Sequence, residues 1–190
     1  MENKNLNKLK LDLIDPDTER AEISTWDYIF KNQNGLKKIY KNILGKRFKN
    51  LTDFINQVYC SYLQKSDYPA IVTCKNDSDE IVGLSAITLY DVSTSPKLTV
   101  KYILTRPDKQ HMGIANFMLS HLSEFIEKLS ATKISSINAN VSIKNKEGLN
   151  LLSKCGFCKG QNFGKDYVFV EKNNLALESD SDYPRFSPFI

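Results

Sequence analysis

Residues 98–122 constrain the fold more than any other stretch. Leu98–Thr105 is a mostly apolar run of strand length, and Pro107 stops it. Residues 113–129 then switch to helical spacing, with Ile114, Phe117, Met118, Leu122, Phe125, Ile126 and Leu129 on one face. A strand that feeds a long amphipathic helix through one short loop must pack the two together, so a mixed α/β layout follows. The loop is Arg106-Pro107-Asp108-Lys109-Gln110-His111-Met112-Gly113. A glycine at the helix mouth leaves several backbone N–H groups aimed one way, and the helix dipole adds positive potential there. Such a place suits a pyrophosphate, because Gly113 and Ala115 keep bulky side chains away from the backbone. One glycine before a helix is common, so this pattern alone does not assign the ligand.

The rest of the chain fits the same layout. Lys8–Ile14 reads as a strand, with Leu9, Leu11 and Leu13 alternating against polar partners. Asp15-Pro16-Asp17-Thr18 opens a helix whose stripe is Ile23, Trp26, Ile29 and Phe30, and Asn34-Gly35 ends it. Two further stripes follow: Leu36, Ile39, Tyr40, Ile43 and Leu44, then Leu51, Phe54, Ile55, Val58, Tyr62 and Leu63. Ala70–Cys74 and Glu80–Tyr90 form a hairpin about Asn76-Asp77-Ser78-Asp79. Ile137, Ala139, Val141 and Ile143 alternate with polar residues in another strand. A short helix over about Lys146–Lys154 ends at Gly156, and Phe157–Lys159 and Tyr167–Glu171 make a last strand pair. One domain over 1–172 is expected, followed by a tail over 173–190.

Composition bounds the function. The 190 residues are 41% hydrophobic and 25% charged, ordinary for a globular domain with a sizeable core. No apolar run reaches membrane-spanning length, and the polar N-terminus lacks a signal-peptide core, so a cytoplasmic protein with no membrane partner is expected. The four cysteines are too scattered for a disulfide framework. Cys155 and Cys158 have C-x-x-C spacing but no second ligand pair, and they read as small buried residues beside a turn; no metal is expected. The net charge of +4 is mild. Lys37, Lys38, Lys41, Lys46, Arg47 and Lys49 form its one concentration, best taken as a solvated helix face. Without a stacking motif, nucleic acid is not expected as a partner; RNA retention on these lysines would have to be salt-sensitive.

Gln110-His111-Met112-Gly113-Ile114-Ala115 resembles the Q/R-x-x-G-x-G/A signature of the GNAT superfamily of N-acetyltransferases. Asn145 through Gly156-Phe157 is similar to the family's asparagine-helix-Gly-Phe segment. The two lie in the family's order with one strand between, and the resemblance covers about residues 80–171. It implies a GNAT-like mixed central sheet flanked by helices, with acetyl-CoA where Leu98–Thr105 and Lys133–Ile143 splay apart. It implies that backbone groups of Ile103, Leu104 and Thr105 pair with the pantetheine arm. Gln110, His111, Met112, Gly113, Ile114 and Ala115 would cradle the pyrophosphate, and Asn145 would lie beside the pantetheine or thioester. Asn145 also suits a helix N-cap.

The implied activity is direct transfer of an acetyl group from acetyl-CoA to a primary amine on a small molecule or peptide, with a homodimer left open. The alternative is a catalytically impaired GNAT-fold module that still binds acyl-CoA. It gains weight from Leu152, which stands where the family often has a proton-donating tyrosine. Ser153, Tyr102 and Tyr167 are nameable replacements, and no catalytic residue is assigned. Leu98–Thr105 holds no carboxylate. Asp91, Glu19 and Glu22 are candidate bases, each read first as a solvated surface acid. His111 suits a phosphate contact, and His121 reads as a structural histidine on or near the core face of its helix.

Overall fold

The computed structural model describes residues 9–15, 19, 22–26, 49–62, 68–90 and 95–174. Its strands are β1 (Lys10–Leu13), β2 (Tyr68–Lys75), β3 (Ile81–Tyr90), β4 (Lys97–Thr105), β5 (Ser136–Ser142), β6 (Cys158–Phe163) and β7 (Tyr167–Asn173). Its helices are α1 (Leu51–Tyr62), α2 (Ile114–Ser130) and α3 (Lys146–Lys154), besides a helical stretch at 22–26. The seven strands form one sheet in the order β1-β2-β3-β4-β5-β7-β6. All neighbours are antiparallel except β4 and β5. The expected α/β fold with a mixed central sheet is therefore present. The second stripe, the basic cluster up to Arg47, Asp91 and residues 175–190 lie outside the described residues.

Local chemistry explains the boundaries. Asn76 Oδ1 accepts the N–H groups of Ser78 and Glu80 at 3.0 Å each, which closes the β2–β3 turn. At the start of α1, Asp53 N–H donates to Asn50 Oδ1 at 2.7 Å, and Lys49 N–H donates to Asp53 at 2.9 Å. This reciprocal cap holds the Asp53 carboxyl below its usual range, the Lys49 N–H being the largest cause. Asn145 caps α3 by accepting the Gly148 N–H at 3.0 Å.

The sheet has two differently covered faces. On one, α2 and α3 bring Leu119, Leu122, Ile126 and Leu152 onto Ile87, Leu98, Val100, Ile137, Ala139 and Val141. On the other, Ile23, Trp26, Leu51 and Ile55 cover Ile71, Leu84, Ala86 and Leu104. Gly83 lets α2 settle on β3: a Cβ there would stand 2.6 Å from Met118 Sδ and 2.9 Å from Ile114 Cγ2. Two expected core positions are open. Leu13 is exposed because β1 is an edge strand, and Leu129 is exposed in the last turn of α2.

Candidate functional site

The loop between β4 and α2 is braced at its first residue. Arg106 N–H donates to Val82 O at 2.9 Å, and its guanidinium grips Asp108 with two bonds of 2.8 and 3.1 Å. Glu80 lies 3.7 Å from the same guanidinium. Pro107–Lys109 makes one 3-10 turn, with Pro107 buried. Gln110 returns to extended backbone (φ −63°, ψ 154°), and His111 is left-handed (φ 63°). Gly113 is left-handed at φ 82° and caps α2, a conformation that disfavours any side chain. No side chain caps this helix, and its first turn holds no acid. The helix mouth therefore presents unclaimed N–H groups and the positive end of the dipole.

Beside this loop the sheet opens. β4 and β5 pair only over Lys97–Val100 and Ser136–Ala139. Beyond those residues β4 stays with β3 as far as Thr105, and β5 stays with β7 as far as Ser142. A register shift in the β3–β4 ladder sits at the parting point: Ala86 faces Tyr102 and Ile87 faces Val100, so Lys101 is the extra residue of a bulge. Such a bulge bends its strand and increases the local twist.

Because Arg106 N–H bonds to β3, alternation directs the Leu104 backbone to β3 as well, and the backbone of Ile103 and Thr105 into the opening. The two parallel strands end on the same side of the sheet. That brings residues 103–105, the 110–115 loop and the Asn145 turn around one opening. Cys155 Sγ, 3.1 Å from Asn116 Oδ1, ties the end of α3 to the first turn of α2, and burial pushes its thiol pKa up.

The side chains considered for proton transfer are placed unevenly. Leu152 is buried among the residues under α2 and α3, while Ser153 is exposed. Tyr102 is half-buried, and Tyr167 is 49% exposed. Glu19 is not a solvated acid: it bonds Lys75 at 2.5 Å with an 11% exposed side chain. That bond raises the Lys75 pKa above the usual lysine value. Glu22 is likewise committed, accepting the Ile81 N–H at 2.6 Å. His121 is exposed rather than on the core face; its Nδ1 meets Phe117 O at 2.8 Å and its ring stacks on Phe117 at 4.3 Å. His111 is exposed in the loop. Cys155 is buried as expected, but Cys158 is exposed, because β6 is the sheet's other edge. Among the described residues no group of three His, Cys, Asp or Glu is placed to hold a metal ion.

Sequence reasoning passed over Gly83, Lys101 and the Arg106–Asp108 brace. Each left a local sign: a glycine inside an apolar strand, a charge inside an apolar strand, and opposite charges flanking a proline.

A family model described as the acetyltransferase (GNAT) family matches residues 36–157, well over half of the chain. The chain belongs to the GNAT acetyltransferase family. It is thus an enzyme of the acetyl-CoA-dependent acetyltransferase class. The match begins at residue 36, upstream of residue 80, and takes in the second and third apolar stripes but not the first. Solved GNAT structures share the fold. Spermidine N-acetyltransferase from Vibrio cholerae, in complex with CoA and spermine, is 13% identical, covers 87% of this chain and 95% of its own, and gives a TM-score of 0.61. An acetyltransferase from Thermus thermophilus is 15% identical, covers 89% of this chain and 99% of its own, and gives 0.62. No curated protein sequence matches the chain.

Proposed function

We propose that this GNAT enzyme is an N-acetyltransferase that moves the acetyl group of acetyl-CoA directly to a primary amine. The observation that carries this reading is the parting of β4 from β5 at Val100 and Ala139, beside an uncapped helix mouth. In this reading Ile103, Leu104 and Thr105 form the strand edge along which the pantetheine arm lies, as an added strand would. Backbone groups of Ile103 and Thr105 face it directly. Gln110, His111, Met112, Gly113, Ile114 and Ala115 surround the pyrophosphate. Asn145 flanks the arm from the other side; its Oδ1 is taken by Gly148, so its amide nitrogen is the group left to donate.

Acetyl-CoA supplies an activated acyl thioester. The chain must hold the amine against it, accept a proton and meet the developing oxyanion. With Glu19 and Glu22 engaged elsewhere, the amine proton leaves through Asp91 or through water. We take residues 1–172 as a single catalytic domain, with β7 carried to Asn173, and the 173–190 segment as a tail. The acceptor is a small amine or a peptide, and the enzyme works in the cytoplasm. No described helix is long and apolar enough to cross a membrane.

Leu152 favours a second reading, a GNAT-fold module that binds acyl-CoA without turnover. The position matching the family's tyrosine is closed into the core here, and no hydroxyl replaces it on α3 at that point. Incubation with acetyl-CoA and a panel of amines separates the two. Release of CoA together with an acetylated amine supports the enzyme. Binding of acetyl-CoA with no acetylated product from any amine supports the module.

A further inference from the structure

The apex of the opening carries a fixed cation. Lys101 is the residue that β4 inserts at its bulge, next to the last β4–β5 pair. Its side chain is exposed, and Nζ lies 3.3 Å from the Tyr90 hydroxyl and 5.6 Å from the centre of that ring. Ile87 and Leu89 face the α2 side of the sheet, so alternation puts Tyr90 on the opposite side. Lys101 is therefore held on the face away from the α2 mouth, where an amine would approach an acetyl group threaded through the opening.

Among the described residues no carboxylate pairs with Lys101, and Glu171, on the same face, is bonded to Ser136 at 2.8 Å and lies 3.6 Å from Lys97. Between them stand neutral groups: Thr99 donates to Asn138 at 2.8 Å, and Asn140 is exposed.

We propose that the acceptor is a primary amine that also carries an anionic group close to it, as an α-amino acid does, and that Lys101, steadied by Tyr90, binds that group. This rests on the acetyl transfer proposed above. A fixed ammonium at the apex attracts a carboxylate and repels an acceptor whose other groups are cationic.

The test uses the full chain, acetyl-CoA, the common α-amino acids, the matching α-amino amides and spermidine, with acetylated product measured directly. The amides keep the amine and lose the carboxylate, which also lowers the amine pKa, so kcat/KM is compared per neutral amine. The expected result is a preference for at least one amino acid over its amide of about tenfold or more in kcat/KM, the worth of one charged hydrogen bond. Lys101→Met should raise KM for that amino acid by about the same factor, with kcat, KM for acetyl-CoA and KM for the amide little changed. Lys101→Arg should restore most of the loss. Equal or better turnover of amides or spermidine overturns this inference and leaves acetyl transfer standing. So does a preference that Lys101→Met leaves intact. No acetylated product from any amine, with acetyl-CoA still bound, overturns both.

Discussion

The two faces of the sheet around the β4–β5 opening are built from different materials. Under α2 and α3 the face is dry and closed, with Leu98, Val100, Ile137, Ala139 and Val141 locked beneath helix side chains. On the opposite face the same strands present Thr99, Ser136, Asn138 and Asn140, with Thr99 bonded to Asn138, Ser136 bonded to Glu171, and Lys97 paired with Glu171. None of the described elements covers that face beyond β4. In the proposed reading the contrast follows from what each side would bind. A cofactor of fixed shape can be met by backbone, which requires a loop of set length, a left-handed Gly113 and a bare helix end. A variable acceptor is met by side chains from separate strands, which leave no compact motif.

Three substitutions probe that contrast, from the largest expected effect to the smallest. Leu152→Ala, on the closed face, should cost roughly 2–5 kcal/mol of stability in denaturant unfolding, as deletion of a buried leucine does. Gly83→Val should be intermediate, about 1–3 kcal/mol, since its side chain runs into Ile114 and Met118. Because Ile114 opens α2, the same change should also weaken acetyl-CoA binding, which titration calorimetry reads separately from stability. Asn140→Ala, on the exposed polar face, should stay within about 0.5 kcal/mol. Equal costs at positions 152 and 140 would erase the distinction between the faces.

The smallest effect is a pH effect away from both faces. The carboxyl of Asp53 is held below 3.8, so the cap stabilises α1 above that pH, and the contribution is lost as pH falls through the lowered value. Asp53→Asn should flatten this part of the acid unfolding curve. An unchanged curve would mean that the cap contributes nothing.

The same division decides what could be read in the sequence. Helix α3 and its Asn145 cap stand where spacing put them, because capping and helical periodicity are local. The β4–loop–α2 order was legible for the same reason. The bulge at Lys101 was not, since a bulge is a property of two registers and appears only when β3 is laid beside β4. Nor was the fate of Glu19 and Glu22. Their partners, Lys75 and the Ile81 N–H, are more than fifty residues away, and only tertiary packing makes them structural acids. His121 shows the limit of a helical wheel: it borders the apolar stripe, yet its ring lies outward on Phe117. Cys158 and Leu13 are exposed for a topological reason, as residues of the two edge strands.

The central claim is that the opening and the bare mouth of α2 hold acetyl-CoA. Thermal unfolding of the wild type and of Gly113→Glu, each with and without the ligand, tests it most directly. At about 100 times the dissociation constant the ligand adds ~2.7 kcal/mol, a rise of roughly 5–10 °C in Tm for a chain of this size. Glutamate at Gly113 opposes the left-handed backbone and sets a negative charge where phosphate would lie, so the variant starts from a lower Tm and should gain nothing from the ligand. A rise in the wild type that vanishes in Gly113→Glu is the predicted result. An equal rise in both proteins, or none in a folded wild type, would contradict the account.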